Sequence, residues 1–146
     1  MTHGLFIFNA RLLDEAIDGP GAVLVIEGKI RAVFQGYFTN EDTVKALAKS
    51  ILNEDGCEDC SLAYYDAHGL TVTPSFIDMH VHFRYPGQTQ KEDLNSGLHA
   101  AIAGGFGTVV TMPNTNPVVS SADMALQIDK EASAYGLARV IQTVSI

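Results

Sequence analysis

The fold is decided by residues 74–84, which read Pro-Ser-Phe-Ile-Asp-Met-His-Val-His-Phe-Arg. The apolar residues of this stretch predict a strand over 76–82. The strand ends in polar residues, which makes its end a candidate for a functional site. A helix is predicted to follow the strand and to end at the Gly104-Gly105 pair. Its apolar face is formed by Leu94, Leu98, Ala101 and Ile102.

The same strand–helix pattern repeats down the chain. A β-branched strand is predicted over 108–112, halted by Pro113, and a third strand over 138–144. Between them Ser120, with Asp123 three residues later, predicts the start of a second helix. The apolar face of that helix comprises Met124, Ala125, Ile128, Ala132 and Tyr135, before Gly136. Units of about 30 residues are typical of parallel βα repeats, which form either an open sheet or a barrel.

The residues before Pro74 follow a different pattern. Short apolar runs at 5–8, 22–26 and 30–34 predict strands, and the last two form a hairpin around Glu27-Gly28-Lys29. Residues 39–52 take a helical period, with Thr39 and Asp42 as a loose capping box, and a polar loop follows over 53–60. Strands resume at 62–66 and 70–73. We therefore predict an α/β protein with a β-rich part at 1–73, containing a helical insert near 39–60, and βα units at 74–146.

Length and composition exclude several classes of protein. The 146 residues are 47% hydrophobic and 18% charged, which argues against intrinsic disorder. The net charge of −8 and the lack of a Lys/Arg cluster disfavour nucleic acid as a partner. Without an apolar run of about 18 residues or a basic leader, we expect a soluble cytoplasmic protein and no membrane partner. A complete eight-stranded barrel needs roughly 200 residues or more, so we expect the sequence to be the front of a longer protein.

His80 and His82 are the strongest indication of a metal site in the sequence. Residues i and i+2 of a strand point to the same face, and two adjacent imidazoles can share one metal ion at Zn–N distances of about 2.0–2.1 Å. Asp78 lies on the same face and could orient a ligand histidine. The alternative interpretation is two ordinary histidines and a hydrogen-bonded acid in a half-buried strand.

Arg84 and Asn114 follow the first and second βα strands, at the rim where the histidines lie. A guanidinium is a planar fork suited to a carboxylate, and an amide can both donate and accept. The alternatives are a surface ion pair for Arg84 and a turn role for Asn114. Cys57 and Cys60 could form half a zinc site or a redox pair, but we interpret them as two loop cysteines in an acidic insert.

These residues resemble the signature run of dihydroorotases, which are metal-dependent cyclic amidohydrolases. The resemblance is dense from residue 74 to residue 117, and the front of the chain is similar to the family's small β-sandwich subdomain. The matching segments are Pro74 to Arg84, Pro86 to Thr89, Lys91 to Asp93, Ala103 to Phe106 and Met112 to Pro117. Tyr85 is a departure, since many relatives carry Glu there, and we expect it to alter loop packing and not metal binding.

The resemblance implies the start of a (β/α)8 TIM-type metal-dependent hydrolase barrel preceded by part of a β-sandwich subdomain. It implies one or two zinc ions, with His80 and His82 as ligands of the more buried ion, and with Arg84 and Asn114 bound to the substrate carboxylate. The remaining ligands and the aspartate general acid/base would come from later strands. The complete protein would interconvert dihydroorotate and N-carbamoyl-L-aspartate in pyrimidine biosynthesis, while the 146 residues alone are expected to be inactive and prone to self-association.

Two alternatives remain open within this resemblance. One is another cyclic amidohydrolase of the hydantoinase, dihydropyrimidinase or allantoinase type, although the Met-Pro-Asn-Thr run and Arg84 favour a ring that bears a carboxylate. The other is a non-catalytic homologue that serves as a structural partner of aspartate transcarbamoylase. A homo-oligomer is also expected. His3, His68 and His99 match no motif position and are interpreted as exposed or incidental.

Overall fold

A computed structural model describes residues 3–54 and 61–146 of the chain. The chain divides into two compact units, Met1–Pro74 and Ser75–Ile146. Both combine strands with helix, so the predicted α/β class is confirmed. Among the described helices, none has the length and apolar character needed to cross a membrane.

The first unit is a five-stranded mixed sheet with one helix. The sheet order is β3-β2-β1-β4, and β5 also pairs with β1. β1 is antiparallel to β2 and parallel to β4 and β5. The elements are β1 (His3–Leu13), β2 (Asp18–Ile26), β3 (Lys29–Gln35), α1 (Glu41–Glu54), β4 (Ser61–Asp66) and β5 (Thr71–Val72).

The predicted hairpin is confirmed, and the predicted cap of α1 is wrong by one residue. β2 and β3 pair antiparallel around Glu27 and Gly28, which both have positive φ (48° and 72°), as a tight hairpin turn requires. The side chain of Asn40, and not that of Thr39, accepts hydrogen bonds from the amides of Asp42 and Thr43. Asn and Thr are both good N-caps, so the sequence did not separate these neighbours.

The apolar residues of the first unit fall into two clusters of this sheet. In one, Val44 and Ala48 of α1 are fully buried with Phe6 and Leu24, and the Phe6 ring stacks on Phe34 with centroids 5.8 Å apart. The second cluster comprises Ala10, Leu12, Val23 and Ala67. The described residues of this unit form a single sheet with a helix, so the β-sandwich subdomain stays a prediction.

The second unit is a three-stranded parallel sheet, in the order β6-β7-β8, with a helix in each connection. This confirms the predicted βα repeat. The elements are β6 (Phe76–Val81), α2 (Leu94–Ala103), β7 (Phe106–Thr111), α3 (Ala122–Ser133) and β8 (Arg139–Gln142). A core between sheet and helices contains Leu98, Val109, Ile128, Ala132 and Val140.

Three details of the second unit differ from expectation. The N-cap of α3 is Ser121, whose hydroxyl accepts from the amide of Met124, and not Ser120. Ile102 and Tyr135 were expected on buried helix faces but are each 46% exposed. Ile102 lies at the side of the face that Leu98 and Ala101 bury, and Tyr135 follows the end of α3 at Ser133.

Candidate metal and carboxylate site

The two imidazoles of the His-x-His sequence lie together at the carboxyl end of β6. Their ring centroids are 5.0 Å apart, and His80 Nε2 lies 3.2 Å from His82 Nε2. His80 is the last residue but one of β6, and His82 follows the strand directly. The period of the strand thus brings the two nitrogens together as the sequence suggests.

The spacing of the two nitrogens matches what one zinc ion requires. Two ligands at about 2.0–2.1 Å from a tetrahedral ion are about 3.3–3.4 Å apart, close to the 3.2 Å between the two Nε2 atoms. Within 3–54 and 61–146, no cluster of three or more His, Cys, Asp or Glu side chains is arranged to hold an ion. The pair therefore fits two positions of a zinc site, and further ligands are needed.

Asp78 bonds to the backbone of His80, whereas from the sequence we expect it to orient a histidine ring. Its Oδ1 accepts a hydrogen bond of 3.0 Å from the backbone amide of His80. The carboxylate thus fixes the main chain of a candidate ligand, and this contact does not involve the imidazole ring. Strand pairing of β6 with β7 is irregular between Asp78 and Val81, where this contact replaces a regular ladder.

Asn114 directly contacts one of the two candidate metal ligands, His82. Its Oδ1 lies 2.8 Å from Nδ1 of His82, although the two residues are 32 positions apart. The segment that carries Asn114 leaves β7 and is held by buried Thr115, whose hydroxyl donates to the Pro117 carbonyl at 2.7 Å. This places Asn114 at the same strand end as the two histidines.

Arg84 is half-buried in the segment that follows β6. Its carbonyl accepts from the amide of Gln88 at 2.9 Å, which closes a turn. Its guanidinium has no carboxylate partner among the residues described in the structure, so an ion pair does not account for it there. The planar fork is therefore available for an anionic ligand.

The segment after β6 and the segment after β7 are in close contact at Gly87. Gly87 has φ +87°, and a Cβ at this position would overlap the backbone carbonyl of Asn116. Only glycine accommodates both the left-handed conformation and the close approach. The Pro-Gly dipeptide indicates a turn in the sequence, but it gives no sign of the contact with Asn116.

Tyr85 joins the same segment to α3. Its hydroxyl donates to Oε2 of Glu131, whose Oε1 accepts from Gln127 Nε2 at 2.9 Å. The bond to Glu131, together with burial, raises the pKa of Tyr85 to about 12. The bonds from Tyr85 and Gln127 lower the pKa of Glu131. This contact spans 46 positions, so sequence periodicity could not reveal it; the expected effect of Tyr85 on loop packing is consistent with it.

We expect Tyr85→Phe to lower the free energy of unfolding of the full-length protein by about 1–2 kcal/mol at pH 7, because a charge-assisted bond between part-exposed groups is lost. The lowered pKa of Glu131 means that its contribution is present above the ordinary carboxyl pKa and is lost as pH falls through the folded value. The raised pKa of Tyr85 keeps the hydroxyl protonated until pH approaches about 12.

A double-mutant cycle of Tyr85→Phe with Glu131→Leu, which removes the acceptor oxygens, measures this bond by urea unfolding between pH 7 and pH 3. The coupling energy should shrink toward the acid end of the range. A coupling energy of zero at pH 7 would show that the contact contributes nothing to stability.

Cavities by themselves do not locate the site. A groove of about 610 Å³ is lined by Tyr85, Glu131 and Tyr135, among others, and by neither histidine of the pair. A cavity of about 240 Å³ has His82, Asp78 and Glu92 in its lining. We place the site at the histidines because their donor atoms, and not the size of a cavity, determine metal chemistry.

The other predicted residues lie away from this cluster or outside the described part of the chain. The His68 side chain is 81% exposed and lies 3.5 Å from Asp66. His99 is exposed on α2, with Nδ1 2.8 Å from the Asn95 carbonyl, as its position off the apolar face suggests. Cys57 and Cys60 lie outside the described residues.

The sequence profile of the amidohydrolase family matches residues 71–144, which include β6 to β8 and the histidine pair. The chain belongs to the amidohydrolase family.

Among curated proteins, it is 46% identical over 103 residues to a dihydroorotase of a Sulfurihydrogenibium species, covering 70% of this chain and 23% of that protein. It is 36% identical over 144 residues to a dihydroorotase of Aquifex aeolicus, covering 97% and 29%. These relatives confirm the resemblance to dihydroorotases, and the chain spans about a quarter of their length.

Solved structures show the same fold. The L-hydantoinase (dihydropyrimidinase) of Arthrobacter aurescens superposes with a TM-score of 0.62 at 24% identity, over 88% of this chain and 24% of that one. The D-hydantoinase (dihydropyrimidinase) of a Thermus species superposes with a TM-score of 0.59 at 21% identity, over 97% and 27%. At this level of identity the likeness concerns the fold alone.

Proposed function

We propose that the full-length protein containing this chain is a zinc-dependent dihydroorotase. The observation that carries the proposal is the pair of imidazoles with Nε2 atoms 3.2 Å apart, at the end of the first strand of a parallel βα unit. The guanidinium of Arg84 follows two residues later without a carboxylate partner among the described residues. The dihydroorotase relatives support the same choice of substrate.

The second unit would form the first βα units of a (β/α)8 barrel, with the first unit as part of a β-sandwich subdomain. The active site of such a barrel lies at the carboxyl ends of its strands, where the histidine pair lies here. Exposed apolar side chains on β6, such as Ile77 at 59% and Met79 at 70%, are consistent with a sheet face that the remainder of a barrel would cover. Later strands would supply the remaining metal ligands and the aspartate general acid/base.

In the proposed reaction, His80 and His82 would hold zinc through their Nε2 atoms. Zinc, when bound, supplies Lewis-acid chemistry that polarises a carbonyl oxygen. Arg84 would bind the substrate carboxylate through its fork, and the amide NH2 of Asn114 would donate to the same group. Holding the carboxylate at two points orients the ring so that its amide carbonyl faces the histidines.

Hydrolysis then adds water across the ring amide. The C–N bond breaks and the hydroxyl of water adds to the carbonyl carbon. The ring nitrogen takes up one proton, and the new carboxylic acid releases the other as it ionises, which gives N-carbamoyl-L-aspartate. In pyrimidine biosynthesis, which we propose as the cytoplasmic setting of this enzyme, the reaction runs in the direction of ring closure.

The test compares two rings that differ in one carboxylate. In the full-length enzyme, we expect Arg84→Lys to lower kcat/KM for dihydroorotate by about 10–100-fold, because lysine keeps the charge but loses the bidentate fork. Turnover of dihydrouracil, which has no carboxylate, should be low in the parent and unchanged in the variant. The measurement is ring opening of both compounds, with Lys91→Arg as a charge-preserving control on an exposed residue of the same segment.

Each outcome of this comparison separates the candidate functions. An Arg84→Lys enzyme with the parent's kcat/KM for dihydroorotate would remove Arg84 from the site. A parent enzyme that prefers dihydrouracil would be of the dihydropyrimidinase type. A parent that opens neither ring would point to the non-catalytic homologue.

A further inference from the structure

We infer that Asn114 is a positioning residue for His82, in addition to its proposed contact with the substrate. Its side-chain oxygen would hold the His82 imidazole in the Nδ1–H tautomer, so that Nε2 keeps its lone pair and faces His80. This inference rests on the proposed metal site, and the two measurements that decide it, the His82 tautomer and the zinc affinity, need neither substrate nor turnover.

The tautomer follows from the atoms in contact. Oδ1 of Asn114 lies 2.8 Å from Nδ1 of His82. A carbonyl oxygen only accepts hydrogen bonds, so Nδ1 must carry the proton. In a neutral imidazole the other nitrogen is then unprotonated, which leaves the lone pair on Nε2. That atom lies 3.2 Å from Nε2 of His80.

The two Nε2 atoms that face each other can form a hydrogen bond between the two imidazoles. The Nε2 lone pair of His82 can accept the Nε2–H of His80 over the 3.2 Å that separates them. To bind zinc through Nε2, His80 would release its Nε2 proton and take one up at Nδ1, whereas His82 would already have its lone pair at Nε2. The orientation of His82 would be the same in both states, because Nδ1 stays bonded to Asn114 throughout. A ligand that is oriented before binding loses less entropy when the metal arrives.

The oxygen of Asn114 is held in place by its segment. The Thr115 amide donates to the Pro113 carbonyl at 2.9 Å, and the Val119 amide donates to the same carbonyl at 3.1 Å. Val119 is fully buried, and the Thr115 side chain is buried as well. These contacts fix both ends of a short segment, so Asn114 reaches His82 from a rigid backbone.

The oxygen and the nitrogen of the Asn114 amide would therefore have different partners. Oδ1 contacts His82, and the NH2 group of this exposed residue remains to donate to a substrate carboxylate. Asp keeps the shape and an acceptor oxygen but removes both donors, whereas Leu removes acceptor and donors. The two substitutions thus separate the positioning of His82 from the binding of substrate.

The first experiment reads the tautomer in the metal-free full-length protein. The ¹⁵N shifts and ¹H couplings of the His82 ring identify which nitrogen is protonated. We expect a predominant Nδ1–H form in the parent and in Asn114→Asp, and its loss or a mixture of tautomers in Asn114→Leu. An Asn114→Leu protein with the parent's tautomer overturns the inference.

The second experiment measures zinc affinity by competition with a chelator. We expect Asn114→Leu to weaken zinc binding by about 10–100-fold, the usual effect of removing the partner of a ligand histidine. Asn114→Asp should stay within about threefold of the parent for zinc while its KM for dihydroorotate rises. Parent-like zinc affinity in Asn114→Leu, or an equal loss in Asn114→Asp, contradicts the inference.

Asn116→Leu is the matched control, because Asn116 is an exposed asparagine of the same segment. It should leave both the tautomer and the zinc affinity unchanged. If it disturbs them as much as Asn114→Leu does, the effect belongs to the segment and not to Asn114, and the inference fails. If the tautomer and zinc results hold but dihydroorotate is not opened, only the proposed function fails.

Discussion

Replacing both candidate ligands, as His80→Ala together with His82→Ala, is expected to remove zinc from the site and to lower kcat/KM by about a thousand-fold or more. The two Nε2 atoms occupy two positions of the proposed ion's shell, and catalytic zinc sites in proteins have about three protein ligands. The metal contributes several kcal/mol of transition-state stabilisation, and each 1.36 kcal/mol is tenfold in rate. Metal content by atomic absorption and kcat/KM on dihydroorotate measure the two effects.

His99→Ala is the control for this double variant, since His99 is exposed on α2 and its ring Nδ1 lies 2.8 Å from the Asn95 carbonyl of the same helix. It should retain the parent's zinc and activity. A double variant that keeps the parent's zinc would show that His80 and His82 are not ligands.

The second large effect is expected at Gly87. Gly87→Ala should lower the free energy of unfolding by about 2–5 kcal/mol, because a left-handed φ and a steric overlap add together. At φ +87° the new Cβ would meet the backbone carbonyl of Asn116, which cannot move aside as a flexible side chain would. Chemical denaturation of the full-length protein measures the loss.

Gly136→Ala separates the two causes. Gly136 also has positive φ, at +64°, but a Cβ there meets nothing within 4 Å. Its substitution should cost only the conformational part, about 1–2 kcal/mol. Equal losses at Gly87 and Gly136 would mean that the contact between the two segments is not tight.

Local periodicity was sufficient to predict most elements and the central pair of the site. The period of two placed His80 beside His82, and the helical period placed Leu98 and Ile128 in the core. The predicted N-caps of α1 and α3 were each one residue before the observed caps, Asn40 and Ser121. In both places two residues that can accept the free amides of a helix are adjacent, and the sequence does not distinguish them.

Contacts between distant residues could not be read from the sequence. The parallel pairing of β1 with β4 and β5 depends on how the chain returns after α1, which no local pattern encodes. The bond from Tyr85 to Glu131 joins a loop to a helix 46 positions away. Asn114 was predicted at the correct rim from its place after a strand, but its contact with His82 Nδ1 depends on tertiary packing.

The contact at Gly87 has a consequence for engineering the range of substrates. The segment with Arg84 is pressed against the segment with Asn114, and the first is also tied to α3 through Tyr85. Replacing either segment alone with a loop from another protein would therefore put a backbone of different shape in steric contact with the segment that was left unchanged. The unit to exchange is residues 83–91 and 113–117 together, with Glu131. In the proposed dihydroorotase, we therefore expect substrate specificity to change when both segments are replaced together, and not when one is replaced alone.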